Sequence, residues 1–155
     1  MPGALTALLL LIGWWPIAVA FAVVTGFMAY FFRDPRRDPP QDESLVVSPA
    51  DGRVTLIRKI AAVDQPAATL VSIFLSPLDV HINRAPIAGE IKHIAYTRGK
   101  FLMATDEKAS LVNEQNALTI EGERITVVCK QIAGILARRI ICWKHAGEKI
   151  SLGER

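Results

Sequence analysis

Ala4 to Phe32 form a long apolar segment without a charged side chain at the start of this 155-residue chain. About 20 consecutive apolar residues are enough for a helix to cross a bilayer. A buried helix of a water-soluble domain is a weaker interpretation, because uncharged stretches of this length favour membranes. A secretory signal peptide is also disfavoured, since no Lys or Arg precedes the apolar run. The sequence therefore predicts that residues 1–32 anchor the chain to a membrane.

Gly13-Trp14-Trp15-Pro16 interrupts this segment. Proline removes a helical hydrogen bond, and tryptophan prefers the membrane interface. One long kinked span and two short helices that enter one leaflet and return both satisfy this pattern. Arg33, Arg36 and Arg37 follow directly, and the positive-inside rule then places the rest of the chain in the cytoplasm, at the cell membrane. The same arginines can also hold anionic lipid headgroups.

Residues 33–44 form a basic, proline-rich linker, and residues 45–155 have the pattern of a β-rich catalytic domain. The segment Ile132–Trp143 fits a long strand or a short helix, and its β-branched residues favour a strand. We expect a mainly β fold, sandwich-like or barrel-like, with an N-terminal hydrophobic membrane helix or helical hairpin. The last two of the predicted strands form a hairpin around a glycine-containing turn. The predicted strands are Arg53–Ile57, Leu70–Leu75, Glu90–Tyr96, Ala117–Gly122 and Arg124–Cys129.

The charge pattern and the cysteines exclude several classes of protein. The formal net charge is +3, but no basic stripe with interleaved aromatic residues occurs, so no nucleic-acid partner is expected. Cys129 and Cys142 match no metal-binding spacing, and reduced thiols are the default in a cytoplasmic domain. We therefore expect neither a metal site nor a disulfide.

His81 lies just after the apolar run Leu70–Leu75, in the segment Ser76–Pro86. A histidine at a strand end can face a cleft, and imidazole titrates near neutral pH, so it can transfer protons. A packed loop histidine is the competing interpretation when His81 is considered alone. Asp51, in the turn Ser48–Gly52, can orient an imidazole or assist a nucleophile, or it can simply shape the loop as an Asx-turn.

Several short segments, in their order and spacing, resemble the phosphatidylserine decarboxylase family in its short membrane-anchored form. The resemblance runs from about Phe31 to Arg155 and covers essentially the whole globular part. Each segment alone is weak, and together they are specific. The segments are Phe31–Pro35, Ser48–Val54, Ser76–Pro86, Gly99–Leu102, Lys108–Ser110, Asn113–Asn116, Gln131–Gly134 and Ala137–Ile140.

The resemblance implies a self-processing enzyme, a carboxy-lyase that converts phosphatidylserine to phosphatidylethanolamine. Members of the family are made as a proenzyme in which a Gly-Ser bond near the C-terminus breaks. The serine becomes a pyruvoyl group on a small α chain, and this covalent cofactor forms a Schiff base with the substrate. The family sequence continues to that Gly-Ser after a segment like Gly153-Glu154-Arg155, so this chain resembles the large β chain. The expected partners are the pyruvoyl-bearing α chain and a phospholipid membrane, and assembly of such αβ units into a homo-oligomer is left open.

The resemblance also implies roles for individual residues. His81 and Asp51 are the expected catalytic residues, His81 as the group that protonates the carbanion after CO₂ leaves. His93 and His145 lie outside the motifs and are expected to be structural or exposed. The candidate substrate-binding residues are Asn83, Arg84, Lys108, Asn113, Glu114, Arg138 and Arg139.

Arg84 departs from the pattern of many longer family members, which have a second histidine at this position. That histidine is associated with self-cleavage, so the base for processing is left open, with His81 serving both steps as one answer. Arg84 itself is not a base at neutral pH. It can bind the lipid phosphate or form a surface ion pair.

Two other functions remain compatible with the sequence. One is decarboxylation of archaetidylserine, whose headgroup would require the same side chains. The other is a non-catalytic, membrane-tethered β module that binds a lipid or a partner.

Overall fold

The computed structural model describes residues 4, 5, 7, 13–42, 44–62, 65–106 and 108–155. Two antiparallel sheets account for most of its regular structure, which confirms the predicted mainly β fold. The named elements, in chain order, are α1 (Trp15–Phe31), β1 (Arg53–Ala62), β2 (Gln65–Phe74), β3 (Gly89–Thr97), α2 (Ala109–Val112), β4 (Gln115–Glu121), β5 (Thr126–Ile132) and β6 (Lys149–Ile150).

Helix α1 begins at the predicted interruption of the apolar segment. Gly13 has φ +77° and Pro16 lies in the first turn of the helix, where its missing N–H leaves no hydrogen bond unmade. Most of the apolar segment before Gly13 lies outside the described residues. Within the described ranges, no helix combines the length and the apolar character needed to cross a bilayer. The predicted membrane-spanning helix is therefore not supported by the described structure.

Strands β1 and β2 form a long hairpin that brings the start of β1 beside the end of β2. Arg53 is paired with Phe74, and the ladder continues to the far end of the hairpin. Two predicted strands, Arg53–Ile57 and Leu70–Leu75, are thus confirmed, although both strands extend further. The Asp51 turn precedes β1 and the histidine segment follows β2. Both therefore lie at the same end of the hairpin.

The second sheet has the strand order β5-β4-β3-β6 and contains the core. Strand β4 alternates strictly, with Asn116, Leu118 and Ile120 buried between half-exposed neighbours. Strands β4 and β5 pair as the predicted hairpin. The core cluster consists of Ala85, Ile87, Ile91, Leu118, Ile120 and Ile150. Ala85 lies in the histidine segment and Ile87 comes directly after it, so this segment is anchored in the core of the sheet.

The predicted strand over Ile132–Trp143 is wrong. Strand β5 ends at Ile132, and residues 133–148 form neither strand nor helix. The chain turns instead, with the Gly134 N–H donating to the Ala137 carbonyl at 3.0 Å. Leu136 is 64% exposed, so its apolar character does not reflect a buried strand.

Candidate active site

His81 is held in a defined orientation by the turn that follows β2. The Ser76 N–H donates to Asp79 Oδ2 at 2.7 Å, and the Asp79 N–H donates to the Ser76 carbonyl. The Nδ1 atom of His81 lies 3.0 Å from the Asp79 carbonyl oxygen. Because a carbonyl only accepts hydrogen bonds, this contact requires a proton on Nδ1. The remaining nitrogen, Nε2, is therefore the atom that can gain and release a proton.

The pKa of Asp79 lies below the usual value of a carboxyl group, so this side chain stays ionised to lower pH. Hydrogen bonds from Ser76, the backbone bond first, lower the pKa of Asp79, and the charges of His81 and Arg33 act in the same direction. The turn thus combines a fixed negative charge with the imidazole that follows it.

Phe31, the last residue of α1, stacks on the imidazole of His81. The two ring centroids are 4.3 Å apart and the planes differ by 28°. Two residues later, Arg33 Nη2 donates to the Leu78 carbonyl at 2.8 Å, and the Arg33 guanidinium lies 3.8 Å from the centroid of the Tyr30 ring. These contacts hold the end of the apolar helix against the histidine turn.

The Asp51 turn packs closely against the end of β2 because residue 52 is glycine. A Cβ atom at Gly52 would lie only 2.5 Å from the Phe74 carbonyl oxygen, so a larger residue would force the backbones apart. The Asp51 carboxylate accepts from the Arg37 guanidinium, with Nη2 and Oδ2 at 2.9 Å. The observed partner of Asp51 is therefore Arg37 and not the imidazole of His81.

Asp51 and the histidine turn nevertheless border the same cleft, which has a volume of about 720 Å³. Its walls include Asp51, Asp79 and Val80, the neighbour of His81. Asn83 is tied to the Asp51 turn by donating to the Pro49 carbonyl at 3.3 Å. The fold therefore places the two predicted catalytic residues on segments that meet at one cleft, and their catalytic roles stay predictions.

The phosphatidylserine decarboxylase family model matches residues 24–155, most of this chain. The chain belongs to the phosphatidylserine decarboxylase family. This result confirms the resemblance carried by the short sequence segments.

Proteins named phosphatidylserine decarboxylase proenzyme are similar to this family member over nearly all of its length. The protein from Symbiobacterium thermophilum is 46% identical, covering 99% of this chain and 74% of the relative. The protein from Ruegeria pomeroyi is 47% identical, covering 98% of this chain and 72% of the relative. The protein from Solibacter usitatus is 43% identical, covering 98% of this chain and 73% of the relative.

Arg84 takes a structural position in this family member. Its Nη2 atom lies 2.9 Å from Asp34 Oδ1 and 3.2 Å from the Pro35 carbonyl oxygen. Asp34 also accepts a hydrogen bond from Arg155. The structure thus shows the ion-pair alternative, in which Asp34 joins the linker, the histidine segment and the C-terminal segment. The phosphate-binding role of Arg84 stays a prediction.

Asn83 belongs to a chain of amide side chains that reaches into the second sheet. Gln131 Nε2 donates to Asn83 Oδ1 at 2.9 Å, and Asn116 Nδ2 donates to Gln131 Oε1 at 3.1 Å. This network orients the Asn83 side chain by contacts from strands β4 and β5. Gln131 and Asn116 were not singled out as site residues by the sequence analysis. Both lie inside the family segments, and this position was the only sequence signal that they support Asn83.

Asn113 is only 1% exposed and holds the backbone together. Its amide donates to the carbonyls of Leu102 and Ala133 and accepts from the Leu102 N–H. All three of these hydrogen bonds are made with backbone groups. The structure thus gives Asn113 a structural role, and its contact with substrate stays a prediction.

The other predicted substrate-binding residues are not among those that line the cleft. Lys108 is exposed at the start of α2, and Arg139 is exposed in the loop after β5. Glu114 accepts from the Tyr96 hydroxyl, a bond that raises the pKa of Tyr96. Arg138 lies over the Phe101 ring, 4.6 Å from its centroid. In the described part of the chain, no hydrogen bond joins these residues to the histidine turn.

The C-terminal segment runs beside the residues that follow His81. The Ala85 N–H donates to the Glu154 carbonyl at 2.7 Å, and the Gly153 N–H donates to the Ala85 carbonyl at 2.9 Å. Lys144 pairs with both Glu148 and Glu154. Hydrogen bonds to Glu148 and then Glu154 raise the pKa of Lys144 and lower the pKa values of the two carboxyl groups. The segment that ends in Arg155 is therefore fixed next to the histidine segment.

Both cysteines are free thiols that pack against the core cluster. Burial raises the pKa of Cys129, so this thiol stays protonated at neutral pH. Neither cysteine is placed to act as a nucleophile at the cleft.

Proposed function

We propose that this chain is the large chain of a pyruvoyl-dependent decarboxylase that converts phosphatidylserine to phosphatidylethanolamine. The similarity to proenzymes of that name carries the proposal. The fixed imidazole of His81 supports it, because the turn that holds His81 borders the same cleft as Asp51.

The residues present fit a pyruvoyl group supplied by a second chain from the same precursor. A cavity of about 180 Å³ is lined by residues of the Asp51 turn, the histidine segment and the C-terminal segment. Among these residues are Asp51, Arg84 and Gly153. The C-terminal segment is bonded to Ala85, four residues after His81. A pyruvoyl carbonyl, when present, takes up the substrate amine and the electrons released with CO₂. In this arrangement the serine that generates it follows a segment already fixed beside the histidine.

His81 is the proton donor in the proposed reaction. Its Nδ1–H is held by the Asp79 carbonyl, so the proton to be transferred is carried on Nε2. Nε2 delivers that proton to the substrate α-carbon once CO₂ has left. The stacked Phe31 ring covers one face of the imidazole and shields it from water.

The proposed activity predicts two chains in the purified protein. Intact mass measurement should find a small companion chain whose N-terminus is blocked and is reduced by borohydride. Incubation with phosphatidylserine should yield phosphatidylethanolamine, and archaetidylserine is assayed in parallel. A companion chain with an ordinary serine N-terminus, or no turnover of either lipid, would contradict the proposal and favour a non-catalytic binding module.

We also propose that residues 1–32 attach the protein to the cytoplasmic face of the cell membrane, leaving residues 45–155 as the catalytic domain. The absence of charge from Ala4 to Phe32 supports this, as do large apolar side chains of α1 that face solvent. Trp15 is 67% exposed and Val23 is 66% exposed.

Deletion of residues 1–29 should release the protein from membranes. This truncation keeps Phe31 and Arg33, which contact the histidine turn, and Tyr30, which contacts Arg33. We expect the full chain to sediment with phospholipid vesicles and the truncated chain to stay in the supernatant. Activity on detergent-dispersed phosphatidylserine serves as the control for folding. Continued sedimentation of an active truncated protein would place the membrane contact elsewhere.

A further inference from the structure

The 720 Å³ cleft carries three arginines that do not belong to the predicted substrate-binding set. Arg33, Arg37 and Arg53 line it together with the carboxylates of Asp51 and Asp79. Arg33 and Arg37 come from the linker that follows α1, and Arg53 is the first residue of β1. The cleft therefore combines an excess of positive charge with two fixed negative groups.

The three guanidinium groups differ in how they are held. Arg33 is bonded to the Leu78 carbonyl and stacked on Tyr30, and Arg37 is paired with Asp51. The side chain of Arg53 makes no hydrogen bond or ion pair with the described residues, although its backbone is fixed by pairing with Phe74. Arg53 is thus a positioned residue whose five N–H donors remain available to a ligand.

We propose that this cleft binds the headgroup of the serine phospholipid, with Arg53 as the main donor to its anionic groups. The inference rests on the proposed function and identifies the surface that holds the substrate. The headgroup contains a phosphate, a carboxylate and an ammonium group, which is one positive charge against two negative ones. The cleft has the complementary composition of three cations and two anions. Guanidinium groups bind phosphate and carboxylate oxygens through paired hydrogen bonds, and either carboxylate of the cleft can accept from the ammonium group.

The location of the cleft agrees with this ligand. Arg33 lies two residues after the end of α1, and the exposed Phe32 lies between them. If the apolar helix enters the membrane interface, the cleft lies at the level of the lipid headgroups. Val80, on the wall of the cleft, is the residue before His81, so a headgroup bound there lies next to the proposed proton donor.

The test compares two Arg→Gln variants on the same strand. Arg53→Gln removes the proposed donor. Arg58→Gln makes the same change of charge at an exposed position of β1 that does not line the cleft. Both are made in the full protein and in a His81→Ala background, where binding can be measured without turnover. The probes are short-chain phosphatidylserine, short-chain phosphatidylglycerol and inorganic phosphate, titrated calorimetrically in detergent.

We expect Arg53→Gln to weaken phosphatidylserine binding by about tenfold, the effect of losing one charge-assisted hydrogen bond, and Arg58→Gln to change it less than twofold. In the active background, Arg53→Gln should raise KM more than it lowers kcat. Equal effects of the two variants would overturn the proposal. Equal affinities of the His81→Ala protein for phosphatidylserine and phosphatidylglycerol would also overturn it, since the cleft would then be a general anion site. Displacement of phosphatidylserine by low concentrations of inorganic phosphate would likewise indicate a general anion site and overturn the proposal.

The results distinguish a failure of the headgroup site from a failure of the proposed decarboxylase function. If the protein turns over no lipid but its affinity for phosphatidylserine still depends on Arg53, the decarboxylase proposal fails and the headgroup site stands. If the protein is active and Arg53→Gln behaves like Arg58→Gln, the headgroup site fails and the activity stands.

Discussion

Replacing His81 with alanine is expected to lower the rate of phosphatidylserine decarboxylation by about 10²–10⁴-fold, the usual contribution of a positioned acid–base group. The structure gives the reason, because the Asp79 carbonyl fixes the Nδ1–H and leaves Nε2 as the exchanging atom. The fold should survive, since His81 is half-buried and lies outside the core cluster. The measurement is the rate of phosphatidylethanolamine formation, with circular dichroism to check the fold.

His93→Ala is the matched control for this variant. His93 lies exposed on β3, outside the cleft, and its loss should leave the rate within about twofold. A His81→Ala protein as active as His93→Ala would remove His81 from the mechanism. Intact masses of the same samples show whether processing also depends on His81. An unprocessed His81→Ala precursor would mean that one histidine serves both steps in a chain with Arg84 at the position of the second.

The strands were predictable because their signals are local. Alternation along Ala117–Gly122 and Arg124–Cys129, with a glycine between them, is enough to define a hairpin, and β4 and β5 form it. The placement of His81 after a strand followed from the same kind of signal. Family segments then singled out Asp51 and His81, and the fold brings Asp51 and the turn that carries His81 to one cleft.

The failures involve contacts between residues that are distant in sequence. The apolar residues around Ile135 fit a strand, but no neighbouring strand pairs with them, so the chain turns. Arg84 and Asp34 are 50 residues apart, and their ion pair has no local signature. The same holds for the stacking of Phe31 on His81. Charged residues in the family segments were interpreted as ligands for substrate, and the structure shows that some of them bind the protein itself.

Asn113→Leu should destabilise the protein by about 3 kcal/mol, because two part-buried backbone groups of Leu102 and the buried carbonyl of Ala133 lose the side-chain partner that Asn113 provides. The substitution keeps the approximate volume of the side chain and removes its hydrogen bonds to Leu102 and Ala133. The local backbone has no room to adjust, since the Gly99 position approaches the Asn113 carbonyl carbon so closely that a Cβ there would lie at 2.5 Å. The measurement is the free energy of unfolding from urea denaturation.

Leu111→Ala is the control on the same short helix, where Leu111 is 78% exposed and its truncation should cost less than about 0.5 kcal/mol. The comparison separates the two roles considered for Asn113. A backbone-bridging role predicts a lower unfolding midpoint for Asn113→Leu and, in the folded fraction, an unchanged KM for phosphatidylserine. A variant with full stability and a strongly raised KM would instead restore Asn113 to the substrate-binding residues. Because the Asn113 amide is turned entirely toward the backbone, we expect the loss of stability.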